Sequence, residues 1–284
     1  MENMLLKKIE EVRKLVKDFK KQGLSVGYVP TMGALHEGHE SLIKRAVKEN
    51  DRVIVSVFVN PTQFGENEDY DSYPRNIEKD MEICEKCGAF AIFNPDPSEM
   101  YFENRSTSVK VSGLTDVLCG SKRPGHFDGV CLVVSKFFNI IKPDRAYFGQ
   151  KDAQQVAVLK RMVRDLNIDV LIVPCPIIRE EDGLAKSSRN AYLNASERKA
   201  AVVLNRSLKY AKELLDKGER DGSKIKEEII NKINEEPLAK IDYAELVDSE
   251  DLINVSTTIN KSILVAIAVY IGKTRLIDNF TYEI

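Results

Sequence analysis

The chain has 284 residues, 43% hydrophobic and 30% charged, with 42 basic against 44 acidic side chains for a formal net charge of −2. At roughly 150 residues per domain this length predicts about two domains with apolar material for sizeable cores. The balanced charge argues against a dedicated nucleic-acid or anionic-membrane surface. The longest apolar run, Ile263 to Ile271, is far short of the ~18 residues of a membrane span, and charge scattered through the first twenty residues excludes a secretory leader, so a cytoplasmic protein is expected.

Ile9, Val12, Val16 and Phe19 recur at three- and four-residue intervals and predict an amphipathic helix over 7–22, closed by Gly23. A short strand over 24–29 follows, then the turn P-T-M-G, then a helix with the stripe Leu42, Ile43, Ala46 and Val47 that ends near Asn50. V-I-V-S-V-F-V, from Val53 to Val59, is the clearest strand, β-branched and almost continuously apolar. Strand, helix and strand with short links form a βαβ unit, which implies a parallel sheet. The pattern continues with a helix over 75–87, a strand over 89–93, an apolar helix over 130–141, a strand over 145–148, a helix over 153–166 and a strand over 170–173. After Asn190 two polar helices, 196–217 and 223–235, precede strand-like runs over 241–247, 263–270 and 275–277. The expected fold class is α/β: a doubly wound parallel sheet followed by a small α+β domain. Ligands of such sheets gather beyond the carboxyl ends of the strands.

Five cysteines, an odd number, fit a reducing compartment better than a disulfide framework. Cys84 and Cys87 form a C-x-x-C that closes a helical pattern, whereas a redox motif opens one, and no second pair or nearby histidine completes a zinc site. Two ordinary thiols, and no bound metal, are expected.

Only three histidines are present, and His36 and His39 share the decapeptide P-T-M-G-A-L-H-E-G-H where the first strand hands over to a helix. Three residues apart at a helix start, both imidazoles can face one ligand. Gly33 and Gly38 remove side chains where the backbone must turn sharply or let a ligand approach, and the helix N-terminus favours anions. These parts suit attack on the α-phosphate of a nucleoside triphosphate, where charge builds on phosphoryl oxygens. The spacing H-E-G-H is wrong for a helical zinc pair. G-K-T at Gly272 to Thr274 has Ile267 where a Walker A loop needs glycine, and no G-x-G-x-x-G follows a predicted strand. Further polar clusters lie at strand ends: Asn60 and Gln63 after the strand at 53–59, then Gly149, Gln150, Lys151, Asp152 and Gln155, and finally G-L-A-K-S-S-R-N from Gly183 to Asn190. Amides orient a small polar substrate without adding charge, and Lys151 offers a point charge to phosphate.

Through P-T-M-G-A-L-H-E-G-H, F-V-N-P-T-Q-F, E-D-Y-D-S-Y-P-R, C-G-S-K-R-P-G-H-F-D-G-V, R-A-Y-F-G-Q-K-D-A-Q-Q and D-G-L-A-K-S-S-R-N, the chain resembles the pantothenate synthetases (pantoate–β-alanine ligases) over nearly its whole length. H-x-G-H alone marks the wider nucleotidylyltransferase superfamily; the combination with Y-F-G-Q-K-D is far more specific. The resemblance implies a homodimer of two-domain chains, with a Rossmann-like ATP- and pantoate-binding domain over 1–185 and a C-terminal lid over 186–284. It implies Mg²⁺- and ATP-dependent ligation of pantoate and β-alanine through a pantoyl adenylate, releasing pyrophosphate and then AMP. By the same resemblance Met32, Gly33, Ala34, Leu35, His36, Glu37, Gly38 and His39 line the ATP site, with His39 the proton donor and His36 and Lys151 acting beside it. Gln63 would contact pantoate and β-alanine, and Gln155 pantoate. Gly149, Gln150, Lys151, Asp152, the main chain at Ile178, and Lys186, Ser187, Ser188 and Arg189 would complete the ATP site. Tyr73, Arg123 and His126 look like cavity-wall members. In this family methionine or leucine usually leads the S-S-R loop; Lys186 stands there in this chain and is expected to point to solvent, since pinning a lysine costs rotamer entropy. Two alternatives stay open: an H-x-G-H nucleotidyltransferase using another small acid or a phosphorylated acceptor, and a non-catalytic adenylate-binding protein.

Overall fold

A computed structural model describes residues 4–66 and 68–284, which fall into two compact units. The first takes residues up to Ser112, Arg123–Gln150 and Val158–Pro176; the second takes Gly113–Lys122, Lys151–Ala157 and Ile177–Ile284. The resemblance implies one cut at 185/186; by contact, Gly113–Lys122 and Lys151–Ala157 group with the C-terminal residues, so each unit is discontinuous in sequence.

The elements in chain order are β1 (Met4–Leu6), α1 (Ile9–Lys21), β2 (Val26–Thr31), α2 (Glu37–Glu49), β3 (Arg52–Val57), α3 (Ile77–Lys86), β4 (Ala91–Phe93) and α4 (Pro97–Met100). They continue with α5 (Leu118–Lys122), α6 (His126–Ile141), β5 (Arg145–Gly149), α7 (Ala153–Asp165) and β6 (Leu171–Cys175). The remainder comprises α8 (Ala195–Ala200), α9 (Val203–Asp216), α10 (Gly222–Asn234), β7 (Ala239–Asp248), β8 (Ile263–Ile271) and β9 (Thr274–Tyr282).

In the first unit the strands pair in the order β1-β4-β3-β2-β5-β6, every pair parallel. Parallel strands need crossovers, and the helices that supply them cover both faces, which is why V-I-V-S-V reads as continuous burial. Val29, Val55, Ile92, Tyr147 and Val173 pack with Leu42, Ile43 and Ala46 of α2 and with Cys84 of α3. On the other face Phe137 of α6 meets the rings of Tyr28 and Phe93 at centroid distances of 5.7 and 6.0 Å. Chain order reverses between the neighbours β2 and β5, so the turns that leave their carboxyl ends flank the topological switch point. The C-x-x-C behaves as packing: Cys84 lies inside α3 and Cys87 caps it, and burial pushes the Cys84 thiol up to about 12 and raises that of Cys87.

In the second unit β7, β8 and β9 form an antiparallel sheet. Leu204, Leu208, Ala211 and Leu215 of α9 and Ile225, Ile229 and Ile233 of α10 share one core with Val265, Ile267, Val269 and Ile271 of β8. Asp221 caps α10 by accepting from the N–H groups of Ser223 and Lys224 at 2.9 and 3.2 Å. The helix expected over 196–217 is two helices that break at Ala201 and Val202, and the strand expected over 275–277 runs for nine residues as β9. Among the described residues no helix is long and apolar enough to cross a membrane.

Candidate active site

Immediately after β2 the backbone turns through Gly33 and Ala34, both at positive φ (82° and 51°). Such a conformation is open to glycine and costs alanine about 1 kcal/mol. Asp80, on α3 and 2% exposed, holds the turn: its Oδ2 accepts from the Ala34 N–H at 3.1 Å and its Oδ1 from the Leu35 N–H at 2.8 Å. A Cβ at Gly33 would fall 2.8 Å from Asp80 Oδ2, so glycine is required on both counts. Burial raises the Asp80 carboxyl above its usual range, and the two N–H bonds offset part of that rise.

The same turn delivers His36 to the N-cap of α2 and His39 to its third residue. His36 Nδ1 accepts from the Gly38 N–H at 3.1 Å, and His39 Nδ1 accepts from the His36 N–H at 3.3 Å. The rings lie 4.2 Å apart between centroids, inclined at 45°. Since each Nδ1 is an acceptor, each neutral ring carries its proton on Nε2. The two imidazoles therefore do the work of an N-cap with one nitrogen and keep a donor on the other. The helix N-terminus adds its partial positive charge, and the pair is equipped to bind phosphate oxygens.

After β3 a single 3₁₀ turn, Pro61–Gln63, carries the amides. Asn60, 1% exposed, is fixed on both sides: Oδ1 accepts from Tyr101 Oη at 2.7 Å, while Nδ2 donates to the Gly129 carbonyl at 3.1 Å and to Gln63 Oε1 at 3.0 Å. Gln63 Nε2 lies 3.0 Å from Met32 Sδ, joining the turn after β3 to the turn after β2. Gly129 of α6 admits no side chain, since a Cβ there would overlap the Thr62 carbonyl. Behind the turn, Arg123 makes a two-pronged bond to Glu68 at 2.5 Å on both arms, and its Nη1 donates to His126 Nε2 at 3.0 Å. His126 Nδ1 then lies 2.8 Å from the Gln63 carbonyl oxygen. Burial raises the Glu68 carboxyl, but the Arg123 bonds outweigh this and leave it below its ordinary value. Tyr73 is buried with its ring 6.1 Å from Phe64. Gly149 ends β5 and Gln150 follows it.

The second unit holds the other residues singled out. Lys151 places Nζ 3.8 Å from Asp152 Oδ2, and its carbonyl accepts from Asn279 Nδ2 of β9 at 2.8 Å. Gln154 spends its amide donor on the carbonyls of Leu114 and Val117, at 2.8 and 2.7 Å, while its neighbour Gln155 is half-buried. A hairpin brings Ile178 to Lys186, whose N–H donates to the Ile178 carbonyl at 2.9 Å. Arg179 anchors it through Asp278 at 2.7 and 3.0 Å and the Gly183 carbonyl at 3.0 Å. Lys186 does not point to solvent as expected: its Nζ pairs with Glu180 Oε2 at 2.7 Å and the side chain is 18% exposed. The facing carboxylate on the hairpin's other arm offsets the entropy that argued for a free lysine. Ser187, Ser188 and Arg189 follow, with Ser187 Oγ accepting the Arg189 N–H at 3.3 Å.

The first unit thus brings together His36 with His39 and Met32 with Gln63; the second brings together Ile178 and Lys186. Asp80 and Tyr101 are not marked out by sequence, and Glu68 only as the first residue of E-D-Y-D-S-Y-P-R, with no role of its own. For Asp80 a signal exists: it sits on the inward stripe of α3 beside Ile77, Cys84 and Cys87, where an apolar residue belongs.

An all-parallel sheet with a histidine-capped helix at its reversal point defines a doubly wound α/β protein of the H-x-G-H kind. A family model described as Pantoate-beta-alanine ligase matches residues 4–281, and the chain belongs to that family of enzymes. Pantothenate synthetase of Clostridium acetobutylicum is 65% identical over 280 residues, covering 99% of each chain, and that of Clostridioides difficile is 66% identical over 281 residues with the same coverage. The crystal structure of pantothenate synthetase from Thermus thermophilus matches with a TM-score of 0.91 at 41% identity over 98% of both chains. Pantoate-beta-alanine ligase from Francisella tularensis, complexed with beta-gamma ATP and beta-alanine, matches with a TM-score of 0.79 at 38% identity, covering 98% of this chain and 97% of that one.

Proposed function

We propose that this chain condenses pantoate with β-alanine at the expense of ATP, through a pantoyl adenylate. A pantoate carboxylate oxygen attacks the α-phosphorus, the bond from that phosphorus to the bridging oxygen breaks, and pyrophosphate leaves with the electron pair. The β-alanine amine then attacks the acyl carbon, the acyl–oxygen bond breaks, AMP leaves, and the nitrogen gives up a proton to complete the amide. A free carboxylate is a poor acyl donor, and adenylation supplies the leaving group it lacks.

The observation that carries this reading is the histidine pair, locked as Nε2–H donors at the N-terminus of α2 beside the switch point, in a chain of this family. Charge developing on the phosphoryl oxygens would meet those donors and the helix end, with Lys151 and Arg189 as further cations. His39 would serve as the proton donor. Gln63, whose carboxamide is pre-set by Asn60, would orient pantoate and β-alanine, and Gln155 pantoate. Mg²⁺ would arrive as part of the MgATP substrate, carried by the phosphates. The protein acts in the cytoplasm as a homodimer on this reading, with the C-terminal residues closing over the adenylate to exclude water.

The test is mass spectrometry of the mixture formed from protein, ATP, Mg²⁺, pantoate and β-alanine. AMP, pyrophosphate and pantothenate are expected, with AMP release requiring both organic substrates. ADP and phosphate, or a final product that retains the nucleotide, would overturn the reading.

A further inference from the structure

The bonds behind Gln63 have a fixed direction. A guanidinium has only donors, so Arg123 Nη1 donates and His126 Nε2 must accept, at 3.0 Å. The neutral imidazole proton is therefore on Nδ1, and it is donated to the Gln63 carbonyl oxygen at 2.8 Å. The tautomer is the reverse of that at His36 and His39, and the neighbour, not chance, selects it. Arg123 is in turn held by both oxygens of Glu68 at 2.5 Å, so the chain begins on a carboxylate, passes through a cation and a neutral ring, and ends on a peptide. A donor bonded to a cation on its far side is polarised and donates more strongly.

The peptide it ends on lacks a partner of its own making. Gln63 closes a 3₁₀ turn of three residues, too short to satisfy its last carbonyl internally. His126 fixes the carbonyl while Asn60 fixes the carboxamide at 3.0 Å, so backbone and side chain of one residue are both held. Glu68 and Arg123 neutralise each other, so the strut supplies position without adding net charge beside an anionic substrate.

We infer that Glu68, Arg123 and His126 form a positioning strut for Gln63, with His126 setting how well the enzyme binds its carboxylic-acid substrate while leaving nucleotide binding alone. This rests on the proposed role of Gln63 toward pantoate. The test measures KM for pantoate and for ATP, together with kcat, in His126→Phe, His126→Asn and Arg123→Met. His126→Phe keeps the ring and removes both nitrogens; KM for pantoate should rise about tenfold, with KM for ATP within about twofold. Asparagine places an amide N–H near the old Nδ1 position, so His126→Asn should return KM for pantoate to within about threefold of the parent. Arg123→Met should shift it in the same direction by about threefold and serves if the phenylalanine variant does not fold. An unchanged KM for pantoate in all three, or equal increases for pantoate and ATP, would overturn the strut. A parent protein that makes no pantothenate would instead overturn the proposed function, and the strut with it.

Discussion

In the parallel-sheet unit the turn from Gly33 to Leu35 hangs from the Asp80 carboxylate by backbone N–H bonds, whereas in the antiparallel unit the hairpin from Ile178 to Lys186 is tied by ion pairs. Arg179 is bonded to Asp278, Lys186 to Glu180, and Asp182 to Arg198 at 2.7 and 3.2 Å. Paired charges largely cancel one another's field, so the hairpin is held firmly without altering the potential around it. A carboxylate that accepts from a turn does something different. It orders successive N–H groups and shapes the backbone that presents the imidazole pair, at the cost of burying a charge. The turn after β2 is thus set by directional bonds to the main chain, and the 178–186 hairpin is tied down mainly by complementary side chains.

Four substitutions break or sharpen this contrast. His39→Ala removes both a donor and the acceptor of the His36 N–H; pantoate-dependent pyrophosphate release should fall by roughly 10²- to 10⁴-fold. A rate within threefold of the parent would take His39 out of the mechanism. Arg179→Met strands Asp278, which is 1% exposed as a side chain, and urea denaturation should show a loss of about 3 kcal/mol, toward the low end for a broken buried pair because the guanidinium is partly exposed. Asp80→Asn keeps an acceptor for one N–H but turns an amide donor toward the other; a loss of about 1–2 kcal/mol is expected in the same assay. If Asp80→Asn proved more costly than Arg179→Met, the ranking of the two devices would be reversed.

The smallest effect concerns pH. Bonds from Lys224 and from the backbone N–H groups of Asp221 and Arg220 hold the Glu219 carboxyl at about 2, below its usual 4.5. A depressed folded-state pKa means that this contribution to stability is present above pH 4.5 and is lost as pH falls toward 2. Unfolding of Glu219→Gln followed across that window should show a flatter acid limb than the parent, and parallel limbs would show the bonds to be energetically idle.

Much of the fold was legible because burial leaves periodic marks. V-I-V-S-V could only be a strand covered on both faces, and the α1 stripe ends in a glycine at φ 72°. The full length of β9 is hidden in sequence because T-R-L-I-D-N-F-T-Y mixes apolar residues with inward polar ones, Asp278 and Asn279, whose partners, Arg179 and the Lys151 carbonyl, lie far off in sequence. At the break both Ala201 and Val202 keep helical backbone angles, so no glycine, proline or other local signal announces it in the sequence. At the site, His36 and His39 were found by their rarity and spacing. The bond from His126 to Gln63 was not, because it joins residues 63 positions apart and no local pattern encodes it. The orientation of Lys186 is hidden for a similar reason: Glu180 is six positions away, across a turn whose pairing only the folded hairpin shows.

The missing side chain at Gly129 has a consequence for how the molecule tolerates change. Two pieces of chain that are strangers in sequence, the start of α6 and the turn after β3, come so close there that a Cβ would fall 2.2 Å from the Thr62 carbonyl oxygen. A single added methyl group would lever the amide-bearing turn outward, while volume-conserving swaps at the neighbouring Val130 or Val133 would be absorbed by the core. The narrowest gate to mutational drift in this region is thus a residue with no chemistry of its own.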